Sequence, residues 1–192
     1  MTMFKLDSPP YANWAGFLAT LLYVITLLPT ILRIVFPSTR ETGIPKTLLL
    51  QRRMMGILAF LLAVVHGYLM IVKRELDFFD PQTYWVYIQG IWTFLIFIVL
   101  AFTSNDWSVK KLKKNWKKLH QLTYLAMFLL VWHIIDKMWG HWTWLTPPSL
   151  LLAGMITLLF LIRILREWHS AKDRSQQVCD SSPVEKETVK NR

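Results

Sequence analysis

Residues 51–74 read QRRMMGILAFLLAVVHGYLMIVKR, an arginine pair, an apolar run from Met54 to Val72 without a charge, then Lys73 and Arg74. A helix that long crosses the roughly 30 Å of a bilayer's hydrocarbon, and the basic residues at either end suit its two surfaces. Four other stretches have the same character: Ser8–Leu32, Pro81–Asn105, Leu119–Ile135 and Met138–Ile162. Five such runs in 192 residues, 54% hydrophobic and only 18% charged, exclude a soluble enzyme and a mainly disordered chain. The expected fold class is therefore all-α, one polytopic membrane bundle of five transmembrane helices.

Charge supplies an expected orientation. The 22 Lys and Arg outnumber the 12 Asp and Glu, a formal charge of +10. All but Lys5, Lys73, Arg74 and Lys137 fall on alternate segments between the spans. The positive-inside rule puts those segments in the cytoplasm, so the N-terminus is expected outside and the C-terminus inside. The excess of positive charge thus reads as a membrane-lipid feature, not a nucleic-acid surface. Tyr84, Trp85 and Tyr87, with Trp139, Trp142 and Trp144, are expected at the outer interface, and Trp116 and Trp168 at the inner one. A balanced N-terminus (Lys5, Asp7) and a long apolar run do not resemble a cleaved signal peptide, and Pro29 is expected to kink the first helix. Residues 1–168 are read as the membrane domain, and 169–192 as a polar, disordered cytoplasmic tail. The single cysteine, Cys179, excludes a disulfide within the chain and a thiolate-built cluster.

The histidines carry the chemistry. His141 and His169 fall at expected interfaces, but His66 and His133 lie inside apolar spans, where an ionisable group is a functional hypothesis by default. His66 lies 13 residues beyond Arg53 and His133 lies 15 beyond Lys118, roughly 20 and 22 Å of helix. Two helices running the same way thus bring one imidazole each to nearly one depth. Matched imidazoles suit the axial positions of one haem iron; the other reading is two structural histidines bonded to backbone. His120, nearer the cytoplasm, could ligate a second haem, bond a propionate or mark the interface. It is 13 residues from His133, roughly 220° around an ideal helix, so the two face one side only if the helix is locally irregular. Arg52, Arg53, Lys117 and Lys118 suit haem carboxylates or lipid headgroups, and Gly56 and Gly67 suit close approach of a helix or a macrocycle. No phosphate loop, dinucleotide fold or hydrolytic constellation is present in the sequence, so any electrons must come from a separate donor or a small bound cofactor.

These residues resemble a known family. Arg52-Arg53-Met54-Met55-Gly56, His66, Leu100-Ala101-Phe102-Thr103-Ser104, Trp116-Lys117-Lys118-Leu119-His120 and His133 are similar to the ferric reductase-like transmembrane domain family. Within it the likeness is greatest to haem-binding membrane subunits of bacterial periplasmic methionine-sulfoxide reductase systems, and runs from about Phe17, with Leu18-Ala19-Thr20-Leu21-Leu22, to about Trp168. The resemblance implies a cytochrome b of the bacterial inner or plasma membrane, with haem b on His66, His120 and His133; Arg53 and Lys118 stay candidate carboxylate partners by their position. It implies electron transport from a cytoplasmic flavin reductase to an external acceptor such as a periplasmic oxidoreductase. A second haem or a flavin, FMN, is the further cofactor it allows. Ferric iron or oxygen as acceptor, or a non-redox scaffold, are the alternative functions. Three departures stand beside the likeness. Those subunits usually carry one more helix before the matched region. Relatives in the wider superfamily have two histidines where this chain has His66 alone, and they carry a fused flavin and nicotinamide module.

Overall fold

The computed structural model describes residues 10–36, 38, 44–74, 81–139 and 142–180. Among these residues the seven regular elements are all helices: α1 (Tyr11–Val35), α2 (Ile44–Arg74), α3 (Pro81–Phe102), α4 (Asp106–Leu112), α5 (Lys114–His120), α6 (Leu122–Met138) and α7 (Thr146–Asp180). Among the described residues four stretches are long and apolar enough to cross a membrane: Tyr11–Val35, Lys46–Lys73, Lys114–Lys137 and Thr146–Arg174. A fifth is reached by α3, whose 22 residues rise about 33 Å, taken together with the short α4 into which the chain turns by 94°.

The bundle is organised around α1. It packs on α2 and α7, while α3 packs on α6 and α6 on α7. Tyr23, Leu27 and Ile31 of α1, Phe97 of α3, Ala126 and Met127 of α6 and Ile156 and Phe160 of α7 form one buried core. Small residues at Ala12, Ala15, Gly16 and Ala19 let neighbouring backbones come close to α1, the packing that membrane helices favour in the absence of a hydrophobic drive between them. Outside, Met54, Leu58, Leu61, Val65, Tyr68 and Val72 form an exposed stripe along α2, and Leu151, Met155, Leu158, Leu165 and Trp168 another along α7. Stripes of that size at helical spacing are faces turned to lipid. The molecule is a multi-pass integral membrane protein.

Polar links hold the helices at both ends. Where Arg33 and Arg53 lie, hereafter the basic end, Arg166 donates to the Val35 carbonyl, and Arg163 donates to the Tyr124 hydroxyl at 3.0 Å and to Glu167 at 3.1 Å. The short α4 is capped by Asn105, whose side-chain oxygen accepts from the Ser108 N–H at 2.7 Å, with Asp106 in its first turn and Lys110 and Lys111 in its last. At the opposite end Asn13 of α1 reaches Thr143 at 3.5 Å, just before α7.

Several expectations need adjusting. The last span starts at Thr146, not Met138, because Pro147 and Pro148 fit only the first turn of a helix. Its helix passes the boundary placed at His169 and runs to Asp180. A membrane helix already formed supplies the nucleus, and Ala, Lys, Arg and Gln propagate it. Residues 181–192 lie outside the described residues, as does His141. His169 is exposed on α7 beside Trp168. α1 carries on through Pro29 to Val35.

Candidate functional site

The second and sixth helices bring His66 and His133 together, as their equal depth in the sequence suggested. Their ring centroids are 6.3 Å apart and their planes are at 89°. Each ring is seated on a glycine of a third helix. A Cβ at Gly16 of α1 would lie 2.9 Å from His66 Nδ1 and 3.0 Å from Cε1. A Cβ at Gly90 of α3 would lie 3.0 Å from His133 Cε1 and 3.1 Å from Nδ1. All four distances are inside ordinary carbon contact, so a side chain at either position would require the ring or the helix to shift.

Backbone chemistry orients the first ring. His66 Nδ1 is 2.7 Å from the Ala12 carbonyl oxygen, one turn before Gly16 on the same face of α1. A carbonyl accepts, so Nδ1 carries the proton and Nε2 keeps its lone pair. On the other side the buried Gln89 donates to Asp136 at 2.6 Å, tying α3 to α6 one turn beyond His133; Asp136 also pairs with Lys137 at 2.8 Å. Thr93 donates to the Gln89 carbonyl at 2.7 Å. Deeper along the same helices Phe60 stacks on Phe94 at 6.0 Å and Tyr23 lies against Phe97 at 5.0 Å.

The donor set fits haem better than a bare ion. Imidazole–metal bonds are about 2 Å long, and one metal bound to a nitrogen of each ring would separate the ring centroids by roughly 6 Å. Among the described residues no three His, Cys, Asp or Glu converge on a point. Two opposed imidazoles are what a macrocycle with its own equatorial nitrogens leaves for a protein to supply.

His120 is not part of this pair. It closes α5 at the basic end, where its ring lies 4.1 Å from Trp116 and its Nε2 is 3.3 Å from the Thr103 hydroxyl; Trp116 Nε1 donates to the Thr103 carbonyl at 2.9 Å. The local irregularity between His120 and His133 exists. At Gln121 the chain tightens to i→i−3 bonding, with Gln121 N–H on the Lys118 carbonyl and Tyr124 N–H on that of Gln121. Arg53 is engaged by Asp106 at 2.9 Å, and Lys118 is exposed. Gly56 and Gly67, singled out from the sequence, have no protein atom within 4 Å of a built Cβ. The glycines against the two imidazoles are Gly16 and Gly90, which the sequence reading passed over. Each is the lone glycine of an apolar span, a residue that costs about 1 kcal/mol in a helix and therefore needs a reason.

A family model described as "Ferric reductase like transmembrane component" matches residues 15–131, a stretch that holds Gly16, His66, Gly90 and His120 and ends just before His133. The chain is also similar to proteins named "Protein-methionine-sulfoxide reductase heme-binding subunit MsrQ". Those of Brucella melitensis biotype 2 and Brucella ovis are 32% identical to it over 163 residues, 82% of this chain and 69% of theirs.

Proposed function

The chain belongs to the ferric reductase like transmembrane component family, and from that premise we propose that it is a membrane b-type cytochrome carrying electrons across the bilayer. The single observation that bears most weight is the approach of His66 and His133 to 6.3 Å with His66 held as the Nδ1–H tautomer. Haem bound there would supply a one-electron iron couple. His66 and His133 would be the residues that hold it. The Ala12 carbonyl keeps the His66 Nε2 free to ligate.

The basic end is the cytoplasmic end in this reading, so the histidine pair lies toward the outer surface and the N-terminus is outside. A cytoplasmic flavin reductase donates electrons near the Lys110–Lys118 segment, where the lysines attract an acidic partner. His120, Arg53 and Lys118 serve a second group at that end, a haem or FMN: His120 as ligand or hydrogen-bond partner, the two cations as partners for its acids. The acceptor is a periplasmic oxidoreductase of the methionine-sulfoxide type, supported by the names of the Brucella relatives. Residues 1–168 form the haem-binding unit.

Purified protein is expected to show a reduced-minus-oxidised haem b spectrum. His66→Ala and His133→Ala should each abolish the low-spin signal of the pair, whereas His120→Ala should leave it. Colourless protein, or a His66→Ala variant with the full signal, overturns the reading. Reduced protein in vesicles, offered ferric chelate, oxygen or a periplasmic methionine-sulfoxide reductase, identifies the acceptor; reoxidation by the third alone is expected.

A further inference from the structure

We propose that Gly16 and the Ala12 carbonyl of α1 form a positioning device for His66 that fixes ring plane and tautomer together, with Gly90 of α3 as the matching seat for His133. The inference rests on the haem reading above but adds residues that make no bond to iron. Ala12 and Gly16 are one turn apart, so the carbonyl of one and the missing side chain of the other face the same imidazole. The clearance and the hydrogen bond depend on each other. Nδ1 reaches the Ala12 oxygen at 2.7 Å only because nothing projects from position 16, where a Cβ would stand 2.9 Å from that same nitrogen. The Cβ would meet the ring's Nδ1–Cε1 edge and not the end of a flexible chain, so relief requires the imidazole to rotate or α1 to retreat, and either lengthens the bond.

A backbone acceptor on the non-ligating nitrogen makes an imidazole a stronger donor to metal and holds its plane. A stronger donor favours the ferric state, so the device lowers the midpoint potential relative to a freely turning ligand. α1 thereby becomes part of the redox centre and not only a packing helix. His133 has the same steric seat, with its ring 3.0–3.1 Å from a Cβ at Gly90.

The test is made on the full-length haem-loaded protein in detergent. Gly16→Ala is expected to retain haem, raise the midpoint potential and alter the g-values of the ferric low-spin EPR signal. Gly90→Ala is expected to change the g-values, and Gly154→Ala on α7, with no atom within 4 Å of the new methyl, is the control that leaves both measurements unmoved. Wild-type g-values and potential in Gly16→Ala overturn the device while leaving the haem reading intact; a wild type without a haem b spectrum removes the haem reading itself. Should Gly16→Ala fail to accumulate, the decision passes to the wild type. The paramagnetically shifted imidazole N–H resonance that shows a nuclear Overhauser effect to the Gly16 α-protons is expected to exchange slowly with deuterium, and exchange at the solvent rate overturns the device.

Discussion

Tyr23 is 5% exposed, and its hydroxyl donates to the Thr123 carbonyl of α6 while the Thr123 hydroxyl lies 3.4 Å away. In an apolar bundle such a link joins α1 to α6 where neither helix can turn to water for a partner. Tyr23→Phe keeps the ring against Phe97 and loses only the hydrogen bond, so it is expected to cost about 1 kcal/mol in reversible unfolding in detergent. Tyr23→Ala adds a cavity and should cost about 3–5 kcal/mol. Equal losses in the two variants would show that the ring contributes nothing. The histidine pair has a different economy, because each ring is placed by what its neighbour lacks. Gly16 and Gly90 are written in the sequence as plainly as His66 and His133. What is not written is that their bare Cα atoms lie against those rings, since that depends on the rotation of α1 and α3.

At the scale of elements, the corner between α4 and α5 is the one place where the described backbone departs from ordinary geometry. Lys113 has φ 48° and ψ −117°, close to the first central position of a type II′ turn, which glycine dominates because a Cβ crowds the backbone there. Lys113→Gly is expected to raise stability by about 1 kcal/mol in thermal unfolding, with Lys113→Ala near neutral; a destabilised glycine variant contradicts the strain. The tight turn after Phe102 sends α4 off at 94° and lets α5 return toward Thr103, so that Trp116 and His120 meet the end of α3. Apolar patterning located the long helices well because lipid demands about 20 residues of it. It placed the ends badly at Met138 and His169, where a proline pair and helix propagation decided the boundary instead.

For the whole molecule, the two ends differ in kind. One carries Arg33, Arg53, Lys110, Lys111, Lys117, Lys118, Arg163 and Arg166; the other carries the histidine pair and the exposed Trp85, Trp139 and Trp144. With one end strongly basic, the bundle should insert with that end in the cytoplasm. A green fluorescent reporter fused after Arg192 is expected to glow, and a periplasmic phosphatase fused there to be inactive. The opposite pair of results would reverse the proposed direction of electron flow without touching the histidine geometry.

Long uncharged runs, the alternation of basic segments and the matched depth of His66 and His133 are local or additive properties, and the chain alone determined them. Hydrophobic length is counted along one helix, and depth follows from 1.5 Å per residue whatever the neighbours do. Helix rotation is another matter. Which faces meet is chosen by packing among all the helices at once, and only that choice turned two imidazoles to 6.3 Å, set them on Gly16 and Gly90, gave His66 the Ala12 carbonyl and left Gly56 and Gly67 facing open space.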